Sequence, residues 1–97
     1  MKLYAGKEAE YKKRHDEIWP ELSALLKGSG ITDYSIFLDK ETLSLFGVLK
    51  IEDEMKMLDL PKHPIMQKWW VYMADIMESN EDHSPVSLPL DEVFYLP

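Results

Sequence analysis

Three aromatic or ionisable side chains, Tyr11, His15 and Trp19, follow one another at intervals of four residues, the spacing that stacks side chains one turn apart on a helix. Histidine titrates near pH 6.5 when unperturbed, so the His15 imidazole can both donate and accept protons at cellular pH. The same position equally suits a helix-face histidine satisfied by one backbone acceptor, and periodicity alone does not separate the two. Trp69 and Trp70 are neighbours in a second helical stretch, about 100° apart around the axis. One can face a pocket while the other packs in the core or at an interface. Flat aromatic faces suit sugars, whose C–H groups stack on a π surface while the hydroxyls seek polar partners. Adjacent tryptophans also serve as plain core filler. Tyr34 stands where its ring can line the space beneath the first helix, or simply leave its hydroxyl in water.

Other chemistries find little support. His63 and His83 lack metal-ligand spacing with His15, and no HExxH or carboxylate cluster is present, so no metal is expected. There is no glycine-rich phosphate loop and no nucleophile elbow, which leaves no cofactor site and no serine hydrolase. The formal net charge of −7 argues against a nucleic-acid partner, which calls for a basic face. The one dense basic cluster, Lys12-Lys13-Arg14, is offset by Glu8, Glu10, Asp16 and Glu17. Apolar runs such as Leu45-Phe46-Gly47-Val48-Leu49 are too short to span a bilayer, so no membrane partner is expected. The first residues lack the apolar stretch of a secretory signal, and the absence of cysteine fits a reducing cytoplasm.

Positioning these side chains requires a fold, and 97 residues allow a single domain over 1–97 with one modest core. A short strand is expected to end near Tyr4, with Gly6 turning the chain. A helical pattern over 7–27 carries the stripe Tyr11, His15, Ile18, Leu22, Leu25 and Leu26, and Gly28-Ser29-Gly30 stops it. Pro20 lies inside that pattern and donates no amide hydrogen, so two helical pieces should meet near Trp19-Pro20. Residues 34–38 and 43–51 read as a hairpin around a charged turn. A short helix is expected over 53–60 and a longer one over 65–77, followed by a polar loop over 79–89 and a final strand over 91–96. Met55, Met57, Met66, Met73 and Met77 suit gaps in the core or at an interface. The order strand, helix, strand, strand, helix, strand is the ferredoxin-like split βαβ pattern, an α+β antiparallel sheet with helices on one face. The bare face is most simply covered by a second copy of the chain.

The segment from Tyr11 to Leu22, YKKRHDEIWPEL, closely resembles the Tyr-x-x-Arg-His-x-x-Ile-Trp-Pro-Glu-Leu signature of L-rhamnose mutarotases. Three more segments are similar in order: Tyr34-Ser35-Ile36-Phe37-Leu38, Gln67-Lys68-Trp69-Trp70-Val71-Tyr72-Met73, and Glu92-Val93-Phe94-Tyr95-Leu96-Pro97. The resemblance covers nearly the whole chain. It implies a dimeric ferredoxin-like α+β fold and interconversion of α- and β-L-rhamnopyranose without cofactor or metal. Carried over position by position, it implies His15 as the proton donor and Tyr11, Tyr34, Trp69 and Trp70 as sugar contacts. Members of the family begin several residues earlier, so the first strand is expected to be truncated. The rival expectation is a non-catalytic sugar-binding or sensor dimer on the same fold, with a ferredoxin-like monooxygenase as a third.

Overall fold

The computed structural model describes Met1–Pro97. Its elements, in order, are α1 (Glu8–Asp16), α2 (Pro20–Gly28), β1 (Ile31–Asp39), β2 (Ser44–Ile51), α3 (Glu54–Asp59), a 3₁₀ turn (Leu60–Lys62) and α4 (Pro64–Met73). The helical pattern breaks where proline requires it. Pro20 takes the first turn of α2, where a missing amide hydrogen costs nothing, and Trp19 stands at the N-cap in an extended conformation. At the other end Gly30 has φ +82° and its amide bonds the Lys27 carbonyl, the left-handed close that glycine accepts without strain.

β1 and β2 form the expected hairpin, antiparallel, with Phe37 opposite Phe46 and Leu38 opposite Leu45. The register slips between Thr32 and Ser35, so Asp33 and Tyr34 together oppose a single residue of β2. Asp33, at φ +49°, absorbs this bulge. The consequence is functional. The extra residue resets the in-out alternation, so Ile31 before the bulge and Tyr34, Ile36 and Leu38 after it all line the inner side.

Residues 1–4 lie beside the hairpin and are bonded on both sides. The Leu3 amide donates to the Leu43 carbonyl and the Leu45 amide to the Met1 carbonyl; on the other side the Tyr4 amide donates to Ile76 and the Glu78 amide to Lys2. The pairing amounts to isolated bridges, Lys2 with Ser44 and Leu3 with Met77. Leu3, Tyr11, Leu22, Leu45, Trp69, Met73, Ile76 and Met77 make the buried core, between the inner sheet face and α1, α2 and α4. Of the methionines expected to fill gaps, Met73 and Met77 do so, whereas Met55 is exposed.

Two expectations are corrected. The second long helix ends at Met73 rather than 77, because the chain must open out to let residues 76–78 bond residues 2–4. The final strand over 91–96 does not form: these residues carry no regular structure and are exposed, Val93 at 93%. The position beside the first segment that a final strand would take is already occupied by Met77, and a strand with no neighbour has nothing to pair its amides.

Candidate active site

A cavity of about 1000 Å³ opens between α1, α2 and the inner face of the hairpin, with Trp69 of α4 at its wall. Tyr11, His15, Tyr34 and Trp69 all line it. Trp70 does not; it lines a separate recess with Pro61, Gln67, Val71, Asp82 and His83. One helical step of about 100° therefore divides the tryptophan pair between two faces, as adjacency on a helix demands.

α1 presents its two polar rings to this cavity in a short sequence of contacts. The rings of Tyr11 and His15 lie 4.3 Å apart and tilted by 30°, and His15 meets Trp69 edge-on at 5.4 Å. Trp69 is held in turn by Trp19, edge-on at 5.2 Å, and by Tyr72 at 5.7 Å. Trp19 and Tyr72 stack on each other at 5.6 Å. Trp69 is 5% exposed, so its indole is a fixed wall.

The protonation of His15 follows from its hydrogen bond. Nδ1 lies 3.0 Å from the Tyr11 carbonyl oxygen, which can only accept, so Nδ1 carries the hydrogen and donates. The neutral ring then holds its lone pair on Nε2. Burial pushes the His15 pKa below its ordinary value of 6.5, against smaller upward pulls from the Tyr11 carbonyl and Asp16. At neutral pH the group is thus a base at Nε2. Once protonated there it becomes an acid.

The two phenols behave differently. Burial raises the pKa of both Tyr11 and Tyr34, and for Tyr11 the neighbouring Tyr34 adds to the effect. Both stay neutral hydrogen-bond donors through the physiological range. Tyr34 rests against Gly47, with its ring carbon 3.5 Å from where a Cβ would stand. The bare backbone of β2 gives this ring its seat. No buried side-chain polar atom lacks a partner, so the phenol oxygen of the buried Tyr11, which makes no protein hydrogen bond, is open to the cavity.

Sequence reasoning missed the polar rim formed by Thr32, Asp33 and Lys40, and the bulge that brings Ile31 to the same side as Tyr34. The Asp33-Tyr34 pair was its only trace. It also did not foresee His63 as the N-cap of α4, where Nδ1 accepts from the Ile65 amide at 3.2 Å. No three His, Asp or Glu side chains converge as metal ligands would. The arrangement offers an apolar wall, two neutral phenols and one imidazole base. Such a set can hold a small polyhydroxylated ring and move its protons.

Comparison with known proteins points the same way. The family profile for L-rhamnose mutarotase matches residues 1–96. A protein named L-rhamnose mutarotase from Agrobacterium fabrum (strain C58) is 65% identical over 97 residues, covering 100% of this chain and 91% of that protein. One of the same name from Rhizobium meliloti (strain 1021) is 58% identical over 96 residues, covering 99% and 92%. The crystal structure of L-rhamnose mutarotase FA22100 from Formosa agariphila superposes with a TM-score of 0.93 at 52% identity, covering 100% of this chain and 93% of that one.

Proposed function

The chain belongs to the L-rhamnose mutarotase family, and from that premise we propose that it interconverts the α and β anomers of L-rhamnose, with His15 as the acid/base. The observation that carries the reading is the His15 geometry. Nδ1 is tied to the Tyr11 carbonyl, Nε2 is free, and Trp69 stands against the ring's edge.

Ring opening needs the anomeric hydroxyl to lose its proton while the C1–O5 bond breaks and O5 gains one. Neutral Nε2 of His15 takes the hydroxyl proton, and C1 becomes the aldehyde carbon. The proton for O5 comes from a second donor in the cavity, a phenol or a water. After rotation about C1–C2 the other face of the aldehyde is attacked by O5, whose proton returns to that second group. His15, now an imidazolium, returns its proton to the carbonyl oxygen, and this is its proton-donor step. Nothing is oxidised and no covalent intermediate is required. Positioned proton transfer contributes roughly 10²–10⁴-fold, a scale suited to a reaction that already proceeds in water.

Tyr11, Tyr34 and Trp69 are the sugar contacts best supported, because all three line one cavity with His15. The contact that the family resemblance gives Trp70 has no such support within one chain. Saturation-transfer NMR on L-rhamnose with and without the protein tests the activity. Faster exchange between anomer signals is the expected result; sugar binding without exchange would instead mean a sensor or carrier.

A two-fold dimer and the full ferredoxin-like sheet belong to the same reading. The bridges order the segments as Met77, residues 1–4, β2, β1, the order of a split βαβ sheet. The outer sheet face exposes Phe37, Phe46 and Val48, and the tail exposes Leu90, Val93, Phe94 and Leu96. Apolar surface of that extent marks an interface, and a second copy covers it. Sedimentation equilibrium showing only an 11.4 kDa species at micromolar concentration contradicts the dimer. No helix is long and apolar enough to cross a membrane, and the cysteine-free composition fits the cytoplasm.

A further inference from the structure

Arg14 immediately precedes His15, lies outside the cavity lining, and has no role in the chemistry above. Its side chain is nevertheless only 10% exposed. Nη1 donates to the Tyr72 carbonyl at 2.6 Å and to Asp75 Oδ1 at 2.8 Å, and Nη2 donates to Asp75 Oδ2 at 3.2 Å. Nε donates to Glu10 Oε1 at 3.0 Å. The guanidinium carbon sits 4.3 Å over the Tyr72 ring. We propose that Arg14 is the positioning residue of the mutarotase site, clamping the last turn of α1 to the end of α4 and so fixing where His15 stands relative to a sugar against Trp69. The inference rests on the mutarotase reading.

Three observations carry it. First, α1 has nine residues and buries only Tyr11. A helix that short is marginal by itself, so its place must be set by few contacts, and the Arg14 fork is the directional one. Second, the clamp uses groups that need a cation. Tyr72 lies in the last turn of α4, where backbone carbonyls have no helical partner. Arg14 satisfies one of them and adds positive charge at a helix C-terminus. Its two-pronged bond to Asp75 is a geometry that guanidinium provides and an ammonium does not. Third, the clamp is continuous with the catalytic wall. Arg14 covers Tyr72, Tyr72 meets Trp69, and Trp69 meets the edge of His15. The helix bearing the acid/base and the helix bearing the wall are therefore locked on the side away from substrate.

A misplacement of about 1 Å at a reacting group can cost about 10²-fold in rate. Trp69 is held by core burial and by Trp19 as well as by Tyr72, so loosening the clamp should affect turnover more than binding. The test is anomer exchange measured over a range of L-rhamnose concentrations for full-length Arg14→Lys and Asp75→Asn. Arg14→Lys keeps the charge but loses the fork, and its kcat is expected to fall about tenfold or more, with KM within about threefold. Asp75→Asn, at an exposed position, should move kcat in the same direction by less. The double variant should be no worse than Arg14→Lys alone, because both changes break one interaction. Wild-type kcat in both single variants, even with a lowered melting temperature, overturns the role of Arg14. If Arg14→Lys does not fold, Asp75→Asn decides alone, and unchanged kcat there overturns the proposal. Absence of exchange in the wild-type protein is a different failure, which removes the mutarotase reading and this role with it.

Discussion

Helices α1 and α4 meet where His15 touches Trp69, yet they are held in place by different physics. α4 is anchored by burial, with Trp69 and Met73 both inside the core. α1 buries only Tyr11 and depends on charge and hydrogen bonding. Glu8 and Glu10 sit in its first turn and Lys13 and Arg14 in its last, matching the helix dipole at both ends. Lys12 pairs with Asp16 across its surface at 2.9 Å. The difference teaches how the site divides its labour. The wall is part of the core, and the group proposed to exchange protons sits on an element only lightly buried. A fully buried imidazole would pay too much desolvation to be protonated in turn.

The largest effect expected from this contrast is on stability. Trp69→Ala should cost about 3–5 kcal/mol, the range for deleting a buried aromatic, and should remove the saturable fluorescence change on adding L-rhamnose. Trp70→Ala should cost less and keep that change. Chemical denaturation and fluorescence titration of the two variants check both halves, and equal losses in the two would erase the distinction between wall and outer face.

Next in size is the pH dependence. Burial holds the pKa of His15 below 6.5 in the folded chain, so between that lowered value and 6.5 the unfolded chain binds more protons. Stability therefore rises with pH across this window and is constant, as far as this group is concerned, above it. The shift in Asp75, held down by its bond to Arg14, acts lower, with stability lost as pH falls through and below the carboxylate range. Subtracting the stability curve of His15→Asn from that of the wild type isolates the first window. Superimposable curves would show that His15 is not desolvated.

The smallest effect concerns the surface of α1. Both Lys12 and Asp16 are exposed, and pairs of this kind at i,i+4 contribute roughly 0.3–0.5 kcal/mol. Lys12→Ala should lower stability in thermal denaturation by no more than that, less so in high salt. A larger loss would mean that α1 depends on this pair as well as on Tyr11 and Arg14.

Much of this was legible before any coordinates. The helix break at Pro20 and the hairpin followed from local chemistry, because proline geometry and strand alternation act between near neighbours. His15 with Tyr11 on one face followed from helical spacing. The tryptophan pair could be split but not assigned, since which of Trp69 and Trp70 faces the cavity depends on how α4 is rotated against the sheet. The Arg14 clamp was illegible because Asp75 lies 61 residues away. The tail was misread for a related reason. Val93, Phe94 and Tyr95 have strand character, but a strand needs a free neighbour, and residues 76–78 already bond residues 2–4. Ile31 shares the inner side with Tyr34, Ile36 and Leu38 only through the bulge at Asp33, a register slip that alternation could not reveal.

The central claim is that His15 moves the protons, and saturation-transfer NMR on L-rhamnose with His15→Asn tests it most directly. The variant should remain folded by circular dichroism and still give the sugar-dependent fluorescence change of Trp69. Its enzyme-dependent exchange should fall by roughly 10²–10⁴-fold, the share expected of positioned proton transfer, leaving the rate in buffer alone. Exchange at the wild-type rate from folded His15→Asn would contradict the account.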